Sequence, residues 1–118
     1  MTLSPDSSDE YYTDERCYIL ELLNSAEFPA ASIARARVEP GITTKQHRVA
    51  GTTERYVIME GSGTAVVEGT QNREVGPGDE VVIPPGVTQS IINTGECDLV
   101  FLCICTPRFE WDNYASLE

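Results

Sequence analysis

The candidates for proton transfer or metal binding in this sequence are His47, Glu54, Tyr56 and Gln89. His47 is the only histidine, and a lone histidine is more often a packed or surface residue than a reactive one. Glu54 and Tyr56 are two residues apart in an apolar segment, so on a strand they share one face. Gln89 opens another such segment. Imidazole and carboxylate groups both bind borderline divalent ions and both transfer protons, so their relative positions decide their use.

Two arginines form a second candidate binding group. Arg35 and Arg37 lie in the segment 32–41, where Ile33, Arg35 and Arg37 alternate with small apolar residues. This alternation predicts a half-buried strand with both guanidinium groups on one face. If that face lines a cavity, the arginines would select an anionic ligand through bidentate contacts. Arginines that face the solvent are the commoner outcome.

Short apolar segments bounded by glycine and proline must position these residues. Residues 54–60 and 64–69 flank Gly61-Ser62-Gly63, which predicts a hairpin. Residues 81–83 and the segment ending at Asn93 flank the turn Pro84-Pro85-Gly86, where prolines interrupt strand pairing. Residues 98–106 are apolar on both faces, which predicts a strand between two others. We expect about eight or nine strands in an antiparallel sandwich or barrel, an all-β fold.

The two ends of the chain are less regular. Residues 1–14 are acidic and hydroxyl-rich, which predicts a flexible N-terminal arm before a single domain at 15–118. Residues 17–23 fit a strand or a helical turn, and we favour an edge strand. The tail 109–118 carries Phe109, Trp111 and Tyr114, which we expect to pack on the barrel or on a second subunit.

Composition excludes several classes of function. The 118 residues suffice for one domain, and the net charge of -11 argues against nucleic acid or an anionic membrane as a partner. No apolar run approaches the ~20 residues of a spanning helix, and the N-terminus lacks the pattern of a signal peptide. We therefore expect a cytoplasmic protein. Its four cysteines, Cys17, Cys97, Cys103 and Cys105, lack metal-site spacing, so we expect reduced, buried and inert thiols.

The spacing of residues between Gly41 and Asn93 resembles the two signatures of the cupin family. The first signature is matched by Gly41, His47, Glu54 and Gly61, and the second by Gly78, Pro84, Gly86 and Asn93. Two positions at which the family has metal-binding histidines differ, because this chain has Val49 and Gln89 there. The resemblance covers roughly residues 31–107 and is that of a small single-domain cupin.

The resemblance implies a jelly-roll barrel, also called a double-stranded β-helix, that often forms a homodimer. It implies that His47, Glu54 and Gln89 meet in the cavity with Tyr56 beside them. Such a donor set could hold Mn, Fe, Ni or Zn, although more weakly than three histidines. The pattern Glu-x-Tyr also occurs in cupin lyases, which implies that Glu54 and Tyr56 are catalytic, while Gln89 orients a water or the ligand.

Three functions remain open from the sequence. The first is a cupin that binds a small polar molecule and acts on it, as a metal-dependent isomerase, dioxygenase or lyase. The second is a metal-free binding or sensor module without catalysis, in which Glu54 and Gln89 form a hydrogen-bonded pair. The third is a structural subunit, which predicts a barrel filled with side chains.

Overall fold

A computed structural model of the chain describes residues 9–118, so the part of the predicted arm at 1–8 lies outside the described residues. Eleven strands form between Tyr11 and Ser116, joined by short turns. Their bounds are β1 Tyr11–Tyr12, β2 Tyr18–Ser25, β3 Phe28–Val38, β4 His47–Val49, β5 Thr53–Glu60 and β6 Gly63–Val67. The remaining ones are β7 Arg73–Val75, β8 Glu80–Ile83, β9 Gln89–Asn93, β10 Leu99–Thr106 and β11 Tyr114–Ser116, with a 3-10 helix at Trp111–Asn113.

The strands form two antiparallel sheets that face each other, which confirms the predicted all-β jelly roll. One sheet has the order β1-β2-β3-β10-β5-β8, and the other has the order β11-β4-β9-β6-β7. Strand β10 pairs with β3 on one side and β5 on the other, so it lies inside the first sheet. Inward-facing side chains such as Ile58, Ile91 and Phe101 fill the space between the sheets. Among residues 9–118, no helix is long and apolar enough to cross a membrane.

The predicted hairpin at Gly61-Ser62-Gly63 is wrong. Strand β5 pairs with β8 and β10, whereas β6 pairs with β7 and β9 in the other sheet. The glycines therefore carry the chain across the core rather than back along β5. Gly61 has φ +83°, and a Cβ built on it would lie 2.6 Å from the carbonyl oxygen of Asp98. The backbone just before β10 thus lies so close to Gly61 that a side chain at position 61 does not fit.

The two ends of the described chain add edge strands to different sheets, β1 to the first sheet and β11 to the second. Tyr11 and Tyr12 pair with Ile19 and Tyr18, so the described end of the predicted arm adds a short strand beside β2. Of residues 17–23, all but Cys17 lie in β2, so the expected strand is present, but it is the second strand of the sheet and not the edge strand. The tail pairs β11 with β4, and Tyr114 stacks on His47, so its rings pack on this barrel. The tail therefore supplies no argument for a second subunit, and the homodimer stays a prediction.

Candidate functional site

The structure brings His47, Glu54, Tyr56 and Gln89 together. His47 and Gln89 are register partners on β4 and β9, while Glu54 and Tyr56 reach them from β5 in the opposite sheet. All four are buried, with at most 6% of each residue exposed. The strand alternation that places Glu54 and Tyr56 on one face, together with Ile58, also directs that face inward. The four side chains form a polar group in an otherwise apolar core.

Gln89 connects the carboxylate and the phenol. Its Nε2 donates to Glu54 Oε1 at 2.7 Å, and its Oε1 accepts a short hydrogen bond from the Tyr56 hydroxyl. Gln89 is 1% exposed and does not line the cavity, so it lies behind the other two. The amide fixes the positions of Glu54 and Tyr56, and direct contact between Gln89 and a ligand stays a prediction.

His47 is held by partners on both sides of its ring. Nδ1 lies 2.9 Å from the Lys45 carbonyl oxygen and 3.1 Å from Glu15 Oε2. Because a carbonyl oxygen can only accept, Nδ1 carries a hydrogen, and Nε2 is the basic nitrogen of the neutral ring. Tyr114 stacks on the imidazole with 5.3 Å between ring centroids. Glu15 and Tyr114 thus position the only histidine.

Burial changes the acidity of the carboxyl and phenol groups at this site. Burial raises the pKa of Glu54, against the lowering effect of the Gln89 hydrogen bond and of His47. Burial also raises the pKa of Glu15 to about 7, with Lys45 opposing. The pKa of Tyr56 lies well above its usual value, chiefly because the phenol is buried. Carboxyl groups with raised pKa values are suited to giving and taking protons near neutral pH.

The buried carboxyl of Glu15 predicts a pH dependence of stability. A group with a raised folded-state pKa binds more protons in the folded than in the unfolded state, so its contribution weakens folding as pH rises from 4.5 to about 7. This displacement corresponds to up to about 3 kcal/mol. Glu15→Gln should therefore raise the free energy of unfolding at pH 8 and change it little at pH 4.5. Urea unfolding of both proteins at the two pH values measures this, and an equal effect at both would contradict it.

A cavity lies between the sheets beside these residues. Its volume is about 90 Å³, which is space for several water-sized groups, so the barrel is not filled as a structural subunit would require. Glu54, Tyr56 and His47 line its inner part, and the exposed residues Glu21 and Trp111 lie at its opening. The rest of its wall consists mainly of apolar and aromatic side chains, among them Val49, Ile91, Phe101, Phe109 and Tyr114.

Sequence reasoning missed Glu15 and only partly anticipated the tail. Glu15 lines the cavity, although nothing in its local sequence distinguishes it from the acidic residues before it. Phe109, Trp111 and Tyr114 also line the cavity. Their signal is three aromatic rings in a polar segment, which indicates packing but not where it occurs. The chain ends therefore complete a site whose centre lies on β4, β5 and β9.

Arg35 and Arg37 do not line the cavity, which is the outward-facing orientation of the two that the sequence left open. Neighbouring Ala34 and Ala36 face the cavity, so the arginines occupy the opposite face of β3. Both bind Glu10, at 3.3 Å for Arg35 and 2.6 Å for Arg37. The two guanidinium groups thus attach the start of the described chain to the sheet.

The residues present do not fit a metal ion in the manner that the resemblance implies. Val49 presents a hydrocarbon side chain to the cavity where a second histidine would stand. The Gln89 oxygen already accepts from Tyr56, and its nitrogen is bound to Glu54. Within residues 9–118, no three side chains from His, Cys, Asp and Glu are grouped to hold a metal. His47 and Glu54 remain as two donors, fewer than protein metal sites use.

Three of the four cysteines face the cavity, but Cys97 is exposed, which corrects the expectation that all are buried. Burial raises the pKa of Cys17 to about 11 and of Cys105 to about 12. Thiolate is the reactive form, so these thiols should react slowly. We expect a water-soluble maleimide to label one thiol rapidly in the native protein, and Cys97→Ser to abolish that phase. Two or more rapid phases in the parent protein would contradict the assignment.

Comparisons with known proteins agree with this architecture. Residues 34–105 match the Cupin domain family. An uncharacterized protein of Methanocaldococcus jannaschii is 31% identical over 115 residues, which cover 96% of this chain and 91% of that protein. A predicted oxalate decarboxylase of Thermotoga maritima is 26% identical, with a TM-score of 0.73 over 89% of this chain and 93% of that one.

Two further solved structures share the fold at lower sequence identity. A nucleoside dehydratase of Streptomyces superposes with a TM-score of 0.80 at 13% identity, covering 100% of this chain and 92% of that one. KdgF from Halomonas superposes with a TM-score of 0.79 at 16% identity, covering 92% and 96%. With a family match over more than half its length and a relative above 30% identity, the chain belongs to the cupin family.

Proposed function

We propose that this cupin binds a small polar molecule in its cavity and catalyses a proton transfer on it through Glu54. The observation that carries this proposal is the state of the Glu54 carboxylate. The residue is 6% exposed and lines the cavity, and Oε1 is bound by Gln89. No described residue donates a hydrogen bond to Oε2. This oxygen is therefore open to the cavity and not engaged by the protein, so it is available to a substrate or a water molecule.

The neighbouring groups have complementary tasks in such a reaction. Glu54 Oε2 takes a proton from a carbon next to an electron-withdrawing group, and the C–H electron pair moves into the substrate. Returning that proton at an adjacent carbon gives an isomerisation. Expulsion of a leaving group, which departs with its electron pair and takes a proton from the protonated carboxyl of Glu15, gives an elimination. Both reactions balance without an oxidant, so we infer an isomerase or lyase rather than a dioxygenase.

The comparisons support this class without identifying the substrate. The Streptomyces nucleoside dehydratase is a lyase built on the same barrel. At 13% identity its likeness concerns the fold, so its nucleoside substrate is not transferred to this chain. The similar Thermotoga maritima protein is described as a predicted oxalate decarboxylase, which is also a class of enzyme that acts on a small polar molecule.

Deuterium incorporation tests the proposal even when the substrate is not identified in advance. The purified protein is incubated in D₂O with a small-molecule extract from cells that express it, with chelator and without. We expect at least one metabolite to gain one mass unit or to lose a leaving group, equally in both samples. Heat-denatured protein is the control for uncatalysed exchange. An extract in which no molecule changes would contradict the proposed catalysis.

A non-catalytic binding module is the second candidate. It is favoured by the Gln89 amide, which engages both Glu54 and Tyr56, the two groups expected to react. A molecule retained by the protein through gel filtration but unchanged in D₂O would establish this function instead. The same extract experiment therefore separates the two candidates.

A further inference from the structure

Among the described residues that line the cavity, three carry carboxyl groups and one, His47, carries a basic group, while Lys45 acts on Glu15 from outside the lining. Glu15, Glu21 and Glu54 all line it, and the described residues of the lining include neither lysine nor arginine. The nearest arginines of β3 bind Glu10 on the other side of the sheet. The carboxylates would therefore repel an anionic molecule. A cation would be attracted by a carboxylate at the opening of the cavity and by another one inside it.

The hydrogen-bonding polarity of the inner wall points in the same direction. Tyr56 gives its hydroxyl hydrogen to Gln89, so the phenol oxygen has only lone pairs to offer a ligand. The hydrogen on His47 Nδ1 is held by the Lys45 carbonyl, which leaves Nε2 as an acceptor in the neutral ring. Glu54 Oε2 is an acceptor when ionised. A ligand that satisfies this wall must donate hydrogen bonds or carry positive charge.

Aromatic rings enclose the opening. Phe109 packs edge-on against Trp111 with centroids 4.9 Å apart, and Trp111 packs edge-on against Tyr114 at 5.2 Å. All three rings line the cavity together with Tyr11. Ring faces attract cations, and carboxylates among aromatic rings are the usual surroundings of bound ammonium groups.

We propose that the ligand of this cavity is a small organic ammonium ion, held by Glu54 inside and by the aromatic rings at the opening. The inference rests on the proposed function for its site, since it names the class of molecule bound there. A neutral polyol fits less well, because each hydroxyl group also needs a donor, and the inner wall offers acceptors.

Two probes of the same shape and different charge test the inference. Choline carries a quaternary ammonium group, and 3,3-dimethyl-1-butanol is its neutral carbon analogue. By calorimetric titration at pH 8 we expect choline to bind at least about tenfold more tightly. Equal affinities, tighter binding of the alcohol, or no binding of either probe would overturn the inference.

Variants show whether the preference arises in the cavity. Glu54→Gln should reduce the choline affinity at least about tenfold and leave the alcohol unaffected. Glu68→Gln, which removes an exposed carboxylate outside the cavity, should change neither affinity. Equal effects of the two substitutions would assign the preference to net charge and overturn the proposal. Circular dichroism melting confirms that both variants are folded.

The two proposals fail in different ways. A metabolite that exchanges deuterium but carries no positive charge would leave the proton-transfer function intact and overturn the ammonium ligand. Selective choline binding by a protein that exchanges nothing would leave the ammonium ligand intact and contradict the proton-transfer function.

Discussion

Replacing Glu54 by glutamine should lower the rate of deuterium exchange at least about 100-fold, because general acid–base catalysis by a positioned side chain contributes roughly 10²–10⁴-fold. A glutamine at this position keeps the shape of the side chain and can still accept the Gln89 hydrogen bond through its amide oxygen. It cannot take a proton near neutral pH. The change therefore removes the chemistry while it preserves the packing.

Mass spectrometry of the exchanged metabolite, measured over time, gives the rates for the parent protein and the variant. Glu68→Gln is the matched control, because it removes an exposed carboxylate from the turn after β6. Its rate should equal that of the parent protein. A Glu54→Gln rate within about threefold of the parent rate would show that Glu54 is not the proton-transferring group, since that is far below the expected contribution.

Gly61→Ala should lower the free energy of unfolding by at least about 3 kcal/mol. The residue has φ +83°, which strains any other L-amino acid by about 1–2 kcal/mol. The new Cβ would also lie 2.6 Å from the Asp98 carbonyl oxygen and 3.0 Å from Leu99 Cα, both of them backbone atoms. Because β5 and β6 belong to different sheets, moving this backbone would disturb both.

Gly69→Ala provides the comparison that separates strain from collision. Gly69 has nearly the same φ, +84°, but nothing lies within 4 Å of its Cβ position. We expect it to destabilise the protein by only about 1–2 kcal/mol. Urea unfolding of the two variants measures the difference. Equal losses of stability would show that the backbone around Asp98 moves to make room for the new Cβ, and that the chain at Gly61 is not tightly packed.

The alternation of side chains along each strand predicts most of the fold, but it does not predict which face of a strand points into the cavity. In β5 it places Glu54 and Tyr56 together, and the apolar Ile58 on the same face identifies that face as the inner one. In β3 the same rule places Arg35 and Arg37 together. Here small alanines face the cavity, because the inner space is occupied by larger side chains from other strands. Which face is buried depends on the neighbouring strands, which local sequence does not specify.

Contacts between distant parts of the chain explain the other differences between the predicted and the observed structure. The glycines after β5 predict a turn, but turn residues do not specify which sheet the chain joins next, so the same residues fit a hairpin and a crossing. Glu15 and Tyr114 meet at His47 although they lie near opposite ends of the chain. The spacing from His47 to Gln89 indicates the centre of the site, because it follows the signature positions. The residues that complete the site come from both chain ends and carry no such spacing.

A crystal structure of the protein with the molecule that it retains or exchanges from the extract tests the central claim most directly. We expect that molecule between the two sheets, within hydrogen-bonding distance of Glu54 Oε2 and beside the rings of Trp111 and Tyr114. Density for the molecule on the outer face of the first sheet, beside Arg35 and Arg37, with an unchanged cavity would contradict the assignment of the site.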